Sequence, residues 1–406
     1  MSEIARHQLL ITLVHGTWPR GFFRTFFPSI VRFKQRVREL TRRQRRGPPP
    51  FWFEECSPFL ARLRTELGDI SYKIKPLLWS GENLIYERDK TAQVLAEHLS
   101  AEHTDYPQAT QLIIAHSHGG NIALRALHHL KQRDASPSGN KGTNPLVVTL
   151  ATPFVEVHHA DFGDGPTVVR HAVFAAIALP LLIWEPGWLW PYAKAIFHSD
   201  VLTVFVGTLI NLAVFLLLYR FFRRHWLSPE SATARRNRVE ALRDATRLGE
   251  IVSAQAQRLL IIRAIDDEAS LALALGTISN YVVTRAIMYA LWIALVPLPV
   301  ALILLIFRHQ WYSLDDITVA SCAFILILFG LLSGARAAHG RELASSPMEC
   351  QISTHSTPDA IGLSKIVTLV RRTFVKSLRH GIYDHEDCAK AISDWVRSQL
   401  CAPPVR

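Results

Sequence analysis

At 406 residues the chain is too long for one minimal domain and implies a core carrying insertions. Hydrophobic residues make up 49% and charged residues 19%, less than the roughly one quarter usual in soluble domains, which excludes a uniformly solvated or disordered chain. The formal charge of +11 comes from basic residues that flank apolar stretches or crowd one N-terminal segment, which favours a membrane surface over nucleic acid. Five widely spaced cysteines, an odd number with no zinc-type spacing, exclude a disulfide framework and read as reduced thiols.

Residues 9–14 form a continuous apolar run and predict a buried parallel strand, ending in His15-Gly16-Thr17. An early acidic residue and the lack of a small-residue cleavage site make this run a poor signal peptide. Residues 20–50 interleave Phe22, Phe23, Phe26 and Phe27 with many arginines, which suits a lid or a membrane-interface segment. A plain solvated helix is the alternative there; nucleic-acid binding is not expected, because no recognised module accompanies the charge. A helix over 57–67, a strand over 72–78 leading to Trp79-Ser80-Gly81, and a helix over 88–99 follow. A third strand, 111–114, runs into Ala115-His116-Ser117-His118-Gly119-Gly120, and the next helix places Ile122, Ala126, Leu127 and Leu130 on one face. After a Ser/Gly/Pro-rich loop over 134–144, residues 146–150 are a fourth strand, closed by Ala151-Thr152-Pro153. Alternating strands and helices predict an α/β fold with a mostly parallel sheet flanked by helices.

Two apolar regions interrupt this pattern. Residues 172–183, 201–219, 286–307 and 317–332 are nearly free of charge, and three of the four approach the roughly 20 residues a bilayer-spanning helix needs. Trp184, Trp188 and Trp190 near the turn of the first pair read as an interfacial belt. Arg170, Arg220, Arg223, Arg224, Arg285, Arg336 and Arg341 flank the spans on the sheet side, whereas the connectors carry mainly Lys194 and Arg308. The expectation is a multi-pass integral membrane protein with its sheet domain facing the cytoplasm; buried core helices of a large soluble protein are the alternative. The domain would then run over 1–165, 226–284 and 337–406, with transmembrane hairpins at 166–225 and 285–336. Within the resumed domain, 231–258 is polar and helix-prone, and 258–265 is a fifth strand ending in Asp266-Asp267. Residues 349–354 and 366–375 are further strand candidates, and 386–400 is an amphipathic closing helix.

Small residues two places before and after Ser117, Ala115 and Gly119, between an apolar strand and an amphipathic helix, are the pattern of a nucleophile elbow. The alternative is an ordinary strand-to-helix turn with Ser117 as a cap. A nucleophilic serine needs a base and an orienting carboxylate, in the chain order Ser, acid, His for this architecture. Asp267 after the fifth strand and His380 before the last helix satisfy that order. Asp266, Asp359 and Asp164 compete for the first role, and His385 and His355 for the second. Oxyanion donors would be the N–H of His118 and one near Gly16 or Thr17. This chemistry needs neither a metal nor an organic cofactor.

At these residues the chain resembles the α/β-hydrolase superfamily in its lipase and esterase branch. HGTW resembles that branch's oxyanion loop and AHSHGG its nucleophile elbow. WSGEN followed by Arg88 is similar to a segment of bacterial members. IDDEASLAL is similar to a stretch in which the acid falls on Asp267, and HGIY to one in which the histidine falls on His380. The resemblance covers roughly 1–165, 255–275 and 345–400, but not the apolar hairpins. It implies a serine hydrolase acting on carboxylic esters through Ser117, Asp267 and His380. A place beside the bilayer points to membrane lipids as partners and to a lipid or acyl ester as substrate; the oligomeric state stays open. An acyltransferase with the same triad and a non-catalytic binding module are the other readings.

Overall fold

The computed structural model describes residues 9–17, 50–134, 144–159, 229–264, 336, 339–345, 350–357, 365–369 and 381–401, with single helical positions between 205 and 220. Strands are β1 (Leu9–Val14), β2 (Tyr72–Leu77), β3 (Thr110–His116), β4 (Leu146–Leu150), β5 (Phe154–His159), β6 (Leu259–Ala264), β7 (Cys350–His355) and β8 (Lys365–Leu369). Helices are α1 (Pro58–Leu67), α2 (Ile85–Asp105), α3 (His118–Asp134), α4 (Pro229–Thr246), α5 (Gly249–Gln255) and α6 (Glu386–Cys401).

Six strands make one parallel sheet in the order β2-β1-β3-β4-β6-β8. Alternate side chains of a strand face opposite ways, so each central strand feeds two cores. Leu9, Ile11, Leu13, Leu112, Ile114, Val148 and Ile262 join Phe59 and Leu63 of α1 and Ile392 and Trp395 of α6. Val14, Ile113, Ala115, Val147 and Ile261 join Leu95 and Leu99 of α2, Ile122 of α3 and Val252 of α5 on the other face. Burial on both faces is why these strands read as unbroken apolar runs. β2 is an edge strand, and it carries Pro76 opposite Leu13, a position where a missing N–H donor is tolerated. α1 is delimited locally: the Ser57 hydroxyl accepts from the Leu60 N–H at 3.2 Å, Pro58 opens the first turn, and Gly68 follows at φ 58°.

The predicted α/β pattern is present, with three differences. The polar stretch over 231–258 divides into α4 and α5 around Arg247 and Leu248. β5 is a strand that its sequence, FVEVHH, does not announce. β7 does not enter the main sheet but pairs antiparallel with β5, Phe154 opposite His355 and His159 opposite Cys350. This two-stranded ribbon buries Val155, Val157 and Ile352 against Val239 and Leu242 of α4 and Leu343.

In the chain β5 precedes the first apolar region and β7 follows the second, so the ribbon pairs the segments that lie on their outer sides. Arg336, counted above among the basic flanks, is fully buried and donates to the carbonyls of Leu343 (3.1 Å) and Cys350 (2.6 Å). Most positions of the four apolar stretches lie outside the described residues. Among those described, no helix is long and apolar enough to cross a membrane. The described positions from 205 to 220 are helical, and Phe205, Leu209, Leu212 and Leu216 are exposed there.

Candidate active site

The sheet order reverses at β1: the chain places β2 on one side and then crosses to β3 on the other. In parallel sheets a crevice opens at such a reversal, beyond the carboxyl ends of the strands. The carboxyl end of β1 carries His15-Gly16-Thr17, and that of β3 carries His116-Ser117-His118.

Ser117 sits between the end of β3 and the first residue of α3 with φ 54°, a left-handed conformation uncommon for a residue with a Cβ. Its N–H donates to the Leu150 carbonyl at 2.8 Å, and its carbonyl accepts from the Gly120 N–H at 2.9 Å. The turn is held by its neighbours. A Cβ on Gly16 would lie 2.6 Å from Ser117 Cβ and 3.1 Å from its Oγ, and one on Gly119 would lie 2.5 Å from the Val14 carbonyl oxygen. No L side chain fits either place, so the small residues are what let the β1 loop, the serine turn and α3 crowd together.

The β1 loop is fixed by rings. The His15 imidazole is stacked between Phe53 and Trp79, with centroids 4.9 and 5.4 Å away. Trp79 donates its indole N–H to the His15 carbonyl at 2.9 Å. His15 Nδ1 donates to the Gly16 carbonyl at 2.8 Å, a contact that fixes its tautomer, and burial pushes its pKa below the ordinary histidine range. His15 is therefore a neutral structural ring. Residues 18–49 lie outside the described residues, but the chain on either side of them meets at this rim through His15 and Phe53.

His118 is buried, and its Nδ1 stands 2.6 Å from Arg88 Nη1 and 3.3 Å from Asn121 Nδ2. Arg88 is buried too; desolvation pushes its pKa down to about 10, so it stays charged at neutral pH. His116 packs its ring edge-on to Trp52 and to Tyr383, at 5.9 and 5.0 Å between centroids, and Tyr383 stacks on Trp52 at 5.6 Å.

The carboxyl ends of β4 and β6 lie in step with the serine turn, the Ala151 N–H donating to the Ile262 carbonyl at 2.9 Å. Asp266 and Asp267 follow β6, and with Asp164, Asp359 and His380 they fall outside the described residues. Gly381 to Asp384 are described, and Tyr383 pins that stretch against the residue before Ser117. His355 ends β7 opposite Phe154 in the ribbon. His385 precedes α6, its Nδ1 accepting from the Asp387 N–H at 3.2 Å. The structure thus brings Ser117, Gly16 and His118 together. It adds Trp79 and Arg88, for which the only sequence signal is the WSGEN-to-Arg88 spacing, and Asn121, which has none.

A cleft of about 730 Å³ lined by Lys131, His158, Arg243, Arg247 and Glu250 does not include Ser117. Among the described residues no group of three or more His, Cys, Asp or Glu side chains converges on a metal position. Comparison with family models, with curated proteins and with solved structures finds no match, so any reading of the site rests on its own geometry.

Proposed function

We propose that the chain is a membrane-anchored serine hydrolase of α/β-hydrolase type that cleaves carboxylic esters. The observation that carries this is Ser117 at positive φ between strand and helix, at the reversal of a parallel sheet, with glycines packed where no Cβ fits. In this reading His380 takes the Ser117 proton as Oγ attacks the acyl carbonyl, and Asp267 orients and stabilises the resulting imidazolium. The N–H of His118 and one from Gly16 or Thr17 receive the oxyanion. His380 then protonates the leaving alcohol, and water repeats the sequence to release the acid. Two features support the partners: Asp267 follows a strand two places from β3 in the sheet, and His380 is one peptide step, about 3.8 Å between Cα atoms, from Gly381 in the stretch pinned to His116.

Four apolar stretches with basic flanks favour a bilayer anchor with the hydrolase domain on the cytoplasmic side. The exposed row Phe205, Leu209, Leu212 and Leu216 is a poor surface for water and a good one for acyl chains. A site tethered there would act on a lipid or another membrane-partitioned acyl ester. The test is fluorophosphonate labelling of full-length protein in detergent, comparing wild type with Ser117→Ala, Asp267→Asn and His380→Ala. The expected result is labelling that vanishes in the first variant and falls sharply in the other two. Folded wild type that takes no label ends the hydrolase reading, and label that survives Ser117→Ala names another nucleophile.

A further inference from the structure

The stretch from Trp79 to Arg88 touches three parts of the molecule at once. Trp79 holds the His15 carbonyl, one residue before Gly16. Arg88 directs Nη1 at His118 Nδ1 and Nη2 at the His339 carbonyl, both at 2.6 Å. Between them, the Asn83 carbonyl accepts the Arg341 N–H at 3.0 Å, Glu82 pairs with Arg341 at 2.9 Å, and the Tyr86 N–H donates to Glu342 at 3.1 Å. Gly340 lies so close that a Cβ there would come 2.9 Å from Ile85 Cγ1 and 3.2 Å from Arg88 Nη2. Residues 339–342 follow the second apolar region, so its exit is docked onto the start of α2.

A buried guanidinium is expensive to desolvate and persists only with partners. Burial alone does not call for a histidine partner: Arg336 is held by the Leu343 and Cys350 carbonyls and the Cys350 sulfur. Here one donor instead goes to the ring beside the nucleophile. Arginine has no acceptor atom, so His118 Nδ1 must accept and its proton must sit on Nε2. A ring held in one tautomer and one orientation holds the first turn of α3, and with it the backbone N–H of His118.

We propose that Arg88 is a positioning residue: through His118 Nδ1 it aims the His118 N–H at the developing oxyanion, and through His339 it couples that donor to the exit of the second apolar region. This rests on the hydrolase reading. An oxyanion contact is made in the transition state and not with bound ester, so displacing it lowers kcat and leaves KM nearly unchanged. A general packing defect has no reason to obey that split.

The experiment is steady-state hydrolysis of p-nitrophenyl butyrate by full-length protein in detergent, with Arg88→Lys, His118→Gln and the double variant. Each single change is expected to lower kcat by about 10- to 100-fold, the scale of a small misplacement of a reacting group. Lysine carries its three donors on one nitrogen and lacks the fork by which Arg88 reaches both partners. If Arg88 acts through His118, the double variant loses no more than the worse single one. Singles with wild-type kcat, or a double loss equal to the product of the two, overturn the proposal. Should Arg88→Lys fail to fold, His118→Gln decides alone, because it leaves the His339 contact in place; undiminished kcat there is equally fatal. If wild type neither takes fluorophosphonate nor hydrolyses ester, the hydrolase reading has failed and this inference falls with it.

Discussion

The rim around Ser117 and the β5–β7 ribbon are built by different physics. At the rim, backbone meets backbone through glycines, and rings stack without charge. The ribbon mixes apolar and polar contacts: Val155, Val157 and Ile352 pack on α4, His159 pairs with Glu240 of the same helix, and His158 meets Ser353 at 2.9 Å. Its fixed point is a buried cation, Arg336, bound to two carbonyls. The rim therefore has no tolerance for added volume, and the ribbon has little tolerance for a lost partner. A change at the first should damage chemistry more than stability, and a change at the second the reverse.

The largest expected effect lies at the rim. Gly16→Ala drives a methyl group to within van der Waals overlap of Ser117, and the labelling rate should fall by about 100- to 1,000-fold, the scale of losing one oxyanion donor. The overpacking should also cost about 1–3 kcal/mol of stability, with the larger loss in rate. Arg336→Met should act on stability alone, removing the donor to the buried carbonyls of Leu343 and Cys350 and lowering stability by about 1–3 kcal/mol in denaturant titration. Its labelling rate per folded molecule should match wild type; a large drop would mean that ribbon and rim are one unit. The smallest effect is a pH dependence. Burial disfavours protonated His15 in the folded state, while the unfolded chain binds a proton as pH falls through about 6.5. The unfolded state is thus favoured on the acid side, and His15→Asn removes that contribution. The stability gap between wild type and His15→Asn should narrow from about pH 7 to about pH 5; a constant gap would mean that His15 is not held neutral.

Much of the main sheet is legible in the chain, because β1, β3, β4 and β6 are covered on both faces and are apolar without interruption. β5 is not legible: half its side chains are polar, and its pairing is far away, His158 meeting Ser353 across 195 positions. The serine turn can be read from AHSHGG, because the strain of the turn restricts which residues flank it. The link from Arg88 to His118 cannot, since it exists only once α2 packs on α3. Arg336 shows the limit of counting charges. Beside an apolar stretch an arginine reads as a headgroup contact, yet this one is enclosed by Leu343 and Cys350. Asp267 and His380 follow from chain order, their place after a strand and before the last helix, and the resemblance of their surroundings, and they lie outside the described residues.

α1 and α6 share one face of the sheet. Ser393 donates its hydroxyl to the Glu66 carbonyl at 2.7 Å, and Arg397 reaches the carbonyls of Glu66 and Leu67. During synthesis this has a consequence for timing. Leu9, Ile11 and Leu13 keep part of their cover missing until residues 386–401 emerge, after both apolar regions have been made. A nascent chain that already holds the serine strand is thus an open, sticky sheet in need of shielding. Completion of the fold, and with it the geometry around Ser117, comes only after the ribosome has delivered both apolar regions.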